Sequence, residues 1–513
     1  MNRAHAVVVS DSRFSSLLIC FALLLIFQSG ALANASRDGA ADNPTLQTPS
    51  LNPETPSPAP SPAPQAVATP TPDIWVTPTP TPPEPLATPT PQPTPQPIPT
   101  PDTTPPPPAP MCERTITANV VAFDQIYTYN RFGAFNPAGM MFALRRDVDG
   151  SGPGNVHLKE GKRPRPIVLR VNEGDCLQIN FTNLLGVTRP DNDSTYTRYA
   201  SIHVNGMDYV NGPGQDDGAN VGINASSLVA PGSSKTYKLY AAKQGQYLMY
   251  SMGAPAGGEG DGGQLDLGLF GSVNVEPRNA KWYRSQVTAE QLQAATVGRN
   301  PNGTPKINYE AVDANNVPIL NLLQGNEIVH TDLNAIITGF VEDCADAPPS
   351  STCGQNFREF TVIFHDEIKA VQAFPELELE VFHGVRDGFA INYGSGGMGA
   401  IILANRKQLG PAARCTECKY EEFFLESHPN NDPAMIVRRD ANGRAVEALF
   451  PDDPSNVHHS YLGDPVRFRN LQAGPKETHV FHLHAHQWLQ SPRDENSTYL
   501  DSQTISPGAA FTY

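Results

Sequence analysis

Positive charge is scarce in this 513-residue chain: 36 Lys and Arg stand against 52 Asp and Glu, for a formal charge of −16. Phosphate backbones are held by clustered Lys and Arg, so the deficit excludes nucleic acid as a partner. It leaves neutral or cationic ligands, metal ions included. No Gly-rich phosphate loop and no nucleophile elbow occur. Apolar runs are equally sparse. The run from Leu17 to Phe27 is too short and wrongly flanked to span a bilayer, and no later segment is apolar enough. A single CxxC pair, Cys415-Thr416-Glu417-Cys418, has no second pair to complete a four-sulfur site. It is read as a disulfide, with metal binding or redox cycling as the alternatives.

What is present divides the chain sharply. Residues 1–35 read as a secretory signal: Arg3 and Arg13, the apolar run, then Ala33-Asn34-Ala35 as a small-residue cleavage site. Secreted or periplasmic localisation follows, and the cysteines agree with it. Six remain beyond Cys20, an even number that favours disulfides in an oxidising compartment. The pairing expected is Cys112–Cys176, Cys344–Cys353 and Cys415–Cys418, although sequence alone does not fix connectivity. Residues 36–110 are Thr-Pro, Ser-Pro and Pro-Gln repeats that cannot bury enough apolar surface to fold. They read as a disordered polyproline spacer near a cell wall or envelope, with capture by a Pro-recognition domain as the alternative.

From Cys112 the pattern becomes short β-like runs separated by Gly, Pro, Asn and Asp: Pro166–Val171, Cys176–Phe181, Lys235–Tyr240, Gly271–Val275. Further runs are Val317–Leu323, Phe360–His365, Leu377–Phe382 and Tyr461–Arg469, and a short helix is expected over Ala289–Ala295. Strands at this spacing predict an all-β chain of tandem sandwiches. The expected division is 111–280 for the first, 281–410 for the second and 411–513 for a partial third. Two smaller motifs read as structural: Asp147-Val-Asp149-Gly150 as a turn, lacking the distal Glu of a calcium loop, and His365-Asp366-Glu367 as a polar strand end. His458-His459 reads as a solvent-facing loop pair.

The chemistry concentrates near the C-terminal end, in Thr478-His479-Val480-Phe481-His482-Leu483-His484-Ala485-His486-Gln487-Trp488, which holds four of the 13 histidines. Apolar and imidazole side chains alternate, the period of a strand. On a strand through His486, His482, His484 and His486 share one face and His479 points to the other. Imidazoles in this pattern read as metal ligands for two sites on opposite sides, with an unmetallated hydrogen-bonded cluster as the alternative; copper, zinc, iron and nickel all suit them.

Gly174–Asn183, Ser201-Ile202-His203-Val204-Asn205-Gly206, Ala230-Pro231-Gly232, Gly245-Gln246-Tyr247 and Gly268–Gly271 occur in an order that resembles the first cupredoxin domain of multicopper oxidases. The histidine strand resembles that of the family's last copper-bearing domain. Asp261-Gly262-Gly263-Gln264 and Asp464-Pro465-Val466 resemble an exported bacterial branch that includes manganese oxidases. The resemblance implies Greek-key cupredoxin-like sandwiches and a copper cofactor. It implies His479 as a ligand of a mononuclear electron-accepting copper, with His482, His484 and His203 at an oxygen-reducing cluster. His486 matches a family residue that is not a ligand. The activity implied is oxidation of a small reductant or metal ion, manganese(II) being one candidate, with dioxygen as the partner substrate.

Two departures qualify that expectation. Where the family's first domain supplies two His-x-His pairs, this chain has His203 with Asn205, then Tyr250 with Met252. An amide and a thioether do not suit an oxygen-bridged copper pair. The ligands then come from another domain, or the cluster reduces to one copper at His203 and His482. The chain also stops at Phe511-Thr512-Tyr513 before any His-Cys-His strand, so it reads as a fragment. The alternative function is a non-catalytic copper-binding protein of the cell envelope.

Overall fold

The computed structural model describes residues 110–129, 134–187, 198–219, 222–253, 263–347, 352–366, 458–491 and 496–513, with short pieces between 368 and 448 and at 494. The expected signal and nearly all of the Pro-rich segment, the Leu377–Phe382 run, and Cys415 with Cys418 lie outside the described residues. Within them the protein is all-β in character, as expected, and helices are few and short. The expected helix is observed over Ala289–Ala294. Thr288 caps it by accepting from Gln291 N, and the Gln291 side chain reaches back to Thr288 N.

The first sandwich pairs two sheets. One runs through Asp208–Tyr209, Ser234–Tyr240, Cys176–Asn183 and Thr115–Asp124, with Met140–Leu144 and Glu327–Ile328 also on the last of these. The other orders Ile167–Asn172, Phe270–Glu276, Gly245–Tyr250 and His203–Val204. Alternation sets which side chains meet between them. Ile116, Ala118, Val120 and Ala122 enter one core with Leu169, Val171, Leu177, Ile179, Val273 and Val275. Val121 and Phe123, one position out of phase, enter a second core with Tyr127, Phe270, Ile363 and Leu471. One strand thus lines two cores because both of its faces are covered. The Cys112–Cys176 disulfide, expected from sequence, ties the segment before Thr115 to the neighbouring strand, and Cys344–Cys353 is formed as well.

A second sheet system orders Lys281–Arg284, Asn334–Thr338, Phe357–His365, Val466–Gln472 and Ala510–Thr512. Phe357–His365 and Val466–Gln472 are parallel and paired from Arg358↔Val466 to Phe364↔Gln472. The chain on either side of the boundary expected near residue 411 therefore contributes to one continuous sheet. Sequence order concealed this because the two strands lie about a hundred residues apart. Val317–Leu323, expected as a strand, is irregular, and a strand covers only Leu323–Gln324. Asn316 is left-handed (φ 61°) and Pro318 has no amide hydrogen for a ladder, yet Ile319, Leu320 and Leu322 are still buried.

The two sheet systems meet through polar side chains. Arg170 and Glu276 alternate with core residues on their strands and are buried on the opposite face. Arg170 Nε donates to Glu359 Oε1 at 2.9 Å, and its other nitrogens donate to the carbonyls of Asp332 and Leu333. Arg469 Nε donates to Glu359 Oε2 at 2.8 Å and its Nη2 to Glu276 Oε2 at 3.0 Å. Asn274 Nδ2 adds donors to Glu359 Oε1 and Thr361 Oγ1. Burial alone would raise Glu359, but Arg170 and Arg469 outweigh it and hold that carboxyl well below the usual range. Glu276 goes the other way: burial, then the neighbouring Glu359 charge, push it up to about 8 against the pull of Arg469.

Two outcomes follow from this network. Replacing Glu359 by Gln removes the carboxylate paired with buried Arg170 and one of the two that Arg469 shares, and should cost about 3–5 kcal/mol in urea unfolding. The second is a pH slope. Glu276 binds its proton more tightly folded than unfolded, so the folded state holds more protons between pH 4.5 and about 8. Stability should therefore fall as pH rises through that window, and Glu276→Gln should flatten the slope.

Candidate metal centre

The four expected ligands sit on three elements. His203 lies on the two-residue His203–Val204 strand at a sheet edge, in register with Tyr250 of Gly245–Tyr250. Their rings meet edge to face at 5.2 Å. Asp217 backs the imidazole: His203 Nδ1 lies 2.6 Å from the Asp217 carbonyl oxygen and 3.2 Å from its Oδ1. A carbonyl only accepts, so Nδ1 carries the proton and Nε2 presents the lone pair. Gly218 permits this approach. Its φ is +72°, and a Cβ there would fall 2.1 Å from the Ile202 carbonyl oxygen. Tyr209 Oη donates to Asp217 Oδ1 at 2.5 Å and fixes the far side of the carboxylate.

His479–His482 forms a two-stranded ribbon with Ser502–Ile505. His479 and Phe481 face one way, half-buried, while Val480 and His482 face solvent, so His479 and His482 do point to opposite sides. The expected strand through His486 does not form. It stops at His482, and Leu483–Gln487 turns back with Ala485 left-handed (φ 58°) and His486 N donating to Leu483 O. The turn lets Trp488 return onto Phe481, ring centroids 5.7 Å apart. His484 therefore shares no strand face with His482, yet the turn carries its ring to 4.7 Å from that of His482. His486 Nδ1 is instead directed at the His484 carbonyl oxygen, 2.9 Å away.

Each strand imidazole also has an oxygen behind it. His482 Nδ1 lies 2.8 Å from the Asp501 carbonyl oxygen and 3.1 Å from Ser502 Oγ, which protonates Nδ1 and directs the Nε2 lone pair outward. His479 Nε2 faces Asp366 Oδ2 at 3.5 Å, and its ring lies along Phe364 at 6.1 Å with 26° between the planes. Asp217, Asp366, Asp501 and Ser502 lie far from their histidines in sequence, and no local motif marks them. His365-Asp366, expected as a polar strand end, is buried, at 2% and 1% exposure. Burial drives the His365 imidazole down to about 3, so it is neutral. His458, expected to face solvent, packs instead between Phe360 and Phe468; its neighbour His459 is exposed.

The structure brings His482 to His484 and His203 to Tyr250, and leaves His479 on the other face of its ribbon. Among the described residues, the only group of three candidate ligands within 4.8 Å of one another is Glu342, Cys344 and Cys353. Its two sulfurs are joined as a disulfide and are not thiolate ligands. At the first sandwich, burial and then the Asp217 charge raise the Tyr250 phenol, which keeps it protonated and a poor ligand. Beside His203, the amide of Asn205, the neutral phenol of Tyr250 and the thioether of Met252 supply no second imidazole, so this set does not fit an oxygen-bridged copper pair.

No protein-family profile matches the chain, and no curated protein is similar to it. Among solved structures it is similar to a multicopper oxidase at 14% identity and TM-score 0.33, over 78% of each chain. A copper nitrite reductase from Nitrosomonas europaea is similar at 15% identity and TM-score 0.32, over 78% of this chain and 83% of that one. A blue copper oxidase from the same organism stands at 14% and 0.34, over 78% and 74%. Likenesses of this degree decide nothing about the site, which rests on its own side chains.

The ring orientations give a specific expectation for metal uptake. His482→Ala should weaken Cu(II) binding, read by competition with a chelator, by roughly tenfold or more, the scale on which even a single supporting contact acts. His486→Ala should leave it within about twofold.

Proposed function

We propose that this chain is an exported copper-binding oxidoreductase of the multicopper-oxidase type, which oxidises a small reductant or metal ion and passes the electrons toward dioxygen. The observation that carries this reading is the orientation of His203 and His482. Each has Nδ1 committed to a backbone carbonyl from a distant segment and Nε2 presented as a lone pair. Imidazole ligands require a fixed tautomer; His486, whose Nδ1 also meets a carbonyl, shares that orientation, so it counts only together with the motifs that hold His203 and His482. The motif order in the first sandwich and the His479–His484 segment supply the copper assignment. Two disulfides support an oxidising compartment, and among the described residues no helix is long and apolar enough to cross a membrane.

Copper, when bound, would supply one-electron redox chemistry. His479 would hold the ion that receives electrons; His482, His484 and His203 would hold ions on the oxygen-facing side. Phe364 stacks along the His479 ring and in turn meets Phe481 edge to face. Asp217 and Asp501 hold the protons on the Nδ1 atoms of His203 and His482. Manganese(II) is one candidate reductant, and its charge suits the acidic chain. Residues 1–35 would direct export, and residues 36–110 would space the folded part from the envelope.

A second reading is favoured by Asn205, Tyr250 and Met252: a non-catalytic protein that binds copper at the envelope. Copper loading separates the two. Several coppers per chain, with oxygen uptake on addition of reductant, are expected for the oxidase. One copper with no oxygen uptake selects the binder, and a copper-free, colourless product defeats both.

A further inference from the structure

Four Asn-Gly pairs occur in the chain: Asn205-Gly206, Asn211-Gly212, Asn302-Gly303 and Asn442-Gly443, the last outside the described residues. In such a pair no side chain screens the Asn amide carbon from the next backbone nitrogen, so the two can react. The fold treats the three described pairs differently. At Asn302 both reacting groups are engaged: Gly303 N donates to the Asn300 carbonyl at 2.9 Å, and Asn302 Oδ1 accepts from Thr304 N and Oγ1. At Asn211 the Asp216 carboxylate holds the residue, accepting from its backbone N at 2.6 Å and from its Nδ2 at 3.4 Å. Asn205 is exposed, and its side-chain amide has no hydrogen-bond partner among the described residues. The peptide joining it to Gly206 is free as well: among the described residues neither the Asn205 carbonyl nor the Gly206 N–H is hydrogen-bonded. The chain just before it is anchored, with Asn205 N donating to the Leu248 carbonyl at 2.9 Å. Freedom is thus confined to the bond that would react.

We propose that Asn205-Gly206 is a self-modifying site, where the Asn205 side chain is converted to an aspartyl or isoaspartyl residue without an enzyme. Gly206 N loses its proton and attacks Asn205 Cγ; the Cγ–Nδ2 bond breaks, and Nδ2 leaves as ammonia. The five-membered imide that results is opened by water at either carbonyl. One amide and one water give one carboxylic acid and one ammonia. Gly206 is held to glycine by its φ of +98°, and an added Cβ would fall 3.3 Å from Tyr247 Cδ1. Nδ2 has room to depart, since even a Cβ built on Gly508 would lie 3.8 Å from it. The acid ionises at neutral pH and sets an anion two residues from His203, where the chain encodes a neutral amide. The isoaspartyl product also lengthens the main chain between His203–Val204 and Asp208–Tyr209, which belong to different sheets. None of this depends on copper.

The test incubates the full folded chain at mildly alkaline pH beside a sample unfolded in guanidinium chloride, until the unfolded sample has converted half of its Asn-Gly amides. Peptide mass spectrometry locates each conversion of amide to acid, and an isoaspartyl methyltransferase labels the isoaspartyl product. The unfolded chain is expected to react alike at Asn205, Asn211 and Asn302, because nothing then distinguishes them. The folded chain is expected to react at Asn205 severalfold ahead of the other two. Asn205→Gln, whose longer side chain closes an imide ring poorly, should lose the methyltransferase label from that peptide while keeping the unfolding midpoint. An Asn205 left intact in the folded chain while the unfolded chain converts it overturns the proposal. So does conversion of Asn211 or Asn302 in the folded chain at the pace of Asn205.

Discussion

Everything in this structure depends on two guanidinium groups shared between two carboxylates at the junction of its sheets. Arg170, Glu276, Glu359 and Arg469 come from four strands, two in each sheet system, and all are 2% exposed or less. Apolar side chains would fill the same space without regard to sliding by a residue pair. Forked donors do not tolerate such slippage, because Nε and Nη2 of Arg469 must each find a different carboxylate. The network therefore fixes register between sheets as well as adhesion. Ser272, Asn274 and Thr361 extend the same directional pattern along the junction.

That junction also explains how much of the fold was legible in the sequence. Strand existence was readable wherever alternation was clean: Cys176–Asn183 and Ser234–Tyr240 match their expected runs to within two residues at either end. The expected disulfides within the described residues are both formed. What alternation concealed is the destination of the polar face. Arg170, Asn274 and Glu276 occupy the polar positions of their strands, and every one is buried against a second sheet. A period of two states that the faces differ; it is silent on whether the polar one meets water or a matching polar face. Pairing between strands a hundred residues apart is equally invisible, since nothing local in Arg358 or Val466 names its neighbour.

The candidate site divides along the same line. Imidazole identity and spacing were readable, and so was the opposition of His479 to His482. The end of the strand at His482 was not, because it follows from Trp488 folding back onto Phe481, a contact formed across a turn. Nor were the oxygens that orient each ring. These come from Asp217, Asp366, Asp501 and Ser502, which sequence offers only as ordinary acidic or hydroxyl residues. Their meaning arises when the backbone delivers them to one particular ring nitrogen.

The parallel pairing of Phe357–His365 with Val466–Gln472 bears on the order in which the molecule assembles. Closing so long a loop carries an entropy that the completed pairing and its buried ion pairs offset. The histidine ribbon follows that strand directly, and Asp366 at the end of the partner strand lies 3.5 Å from His479 Nε2. Before closure, a metal ion arriving at the chain meets imidazoles scattered on a flexible tether, each free to choose either nitrogen. Afterwards it meets rings whose proton positions are already set. On the copper reading proposed above, folding would act as a timer on metal capture, placing selectivity for the ion after closure of the sheet.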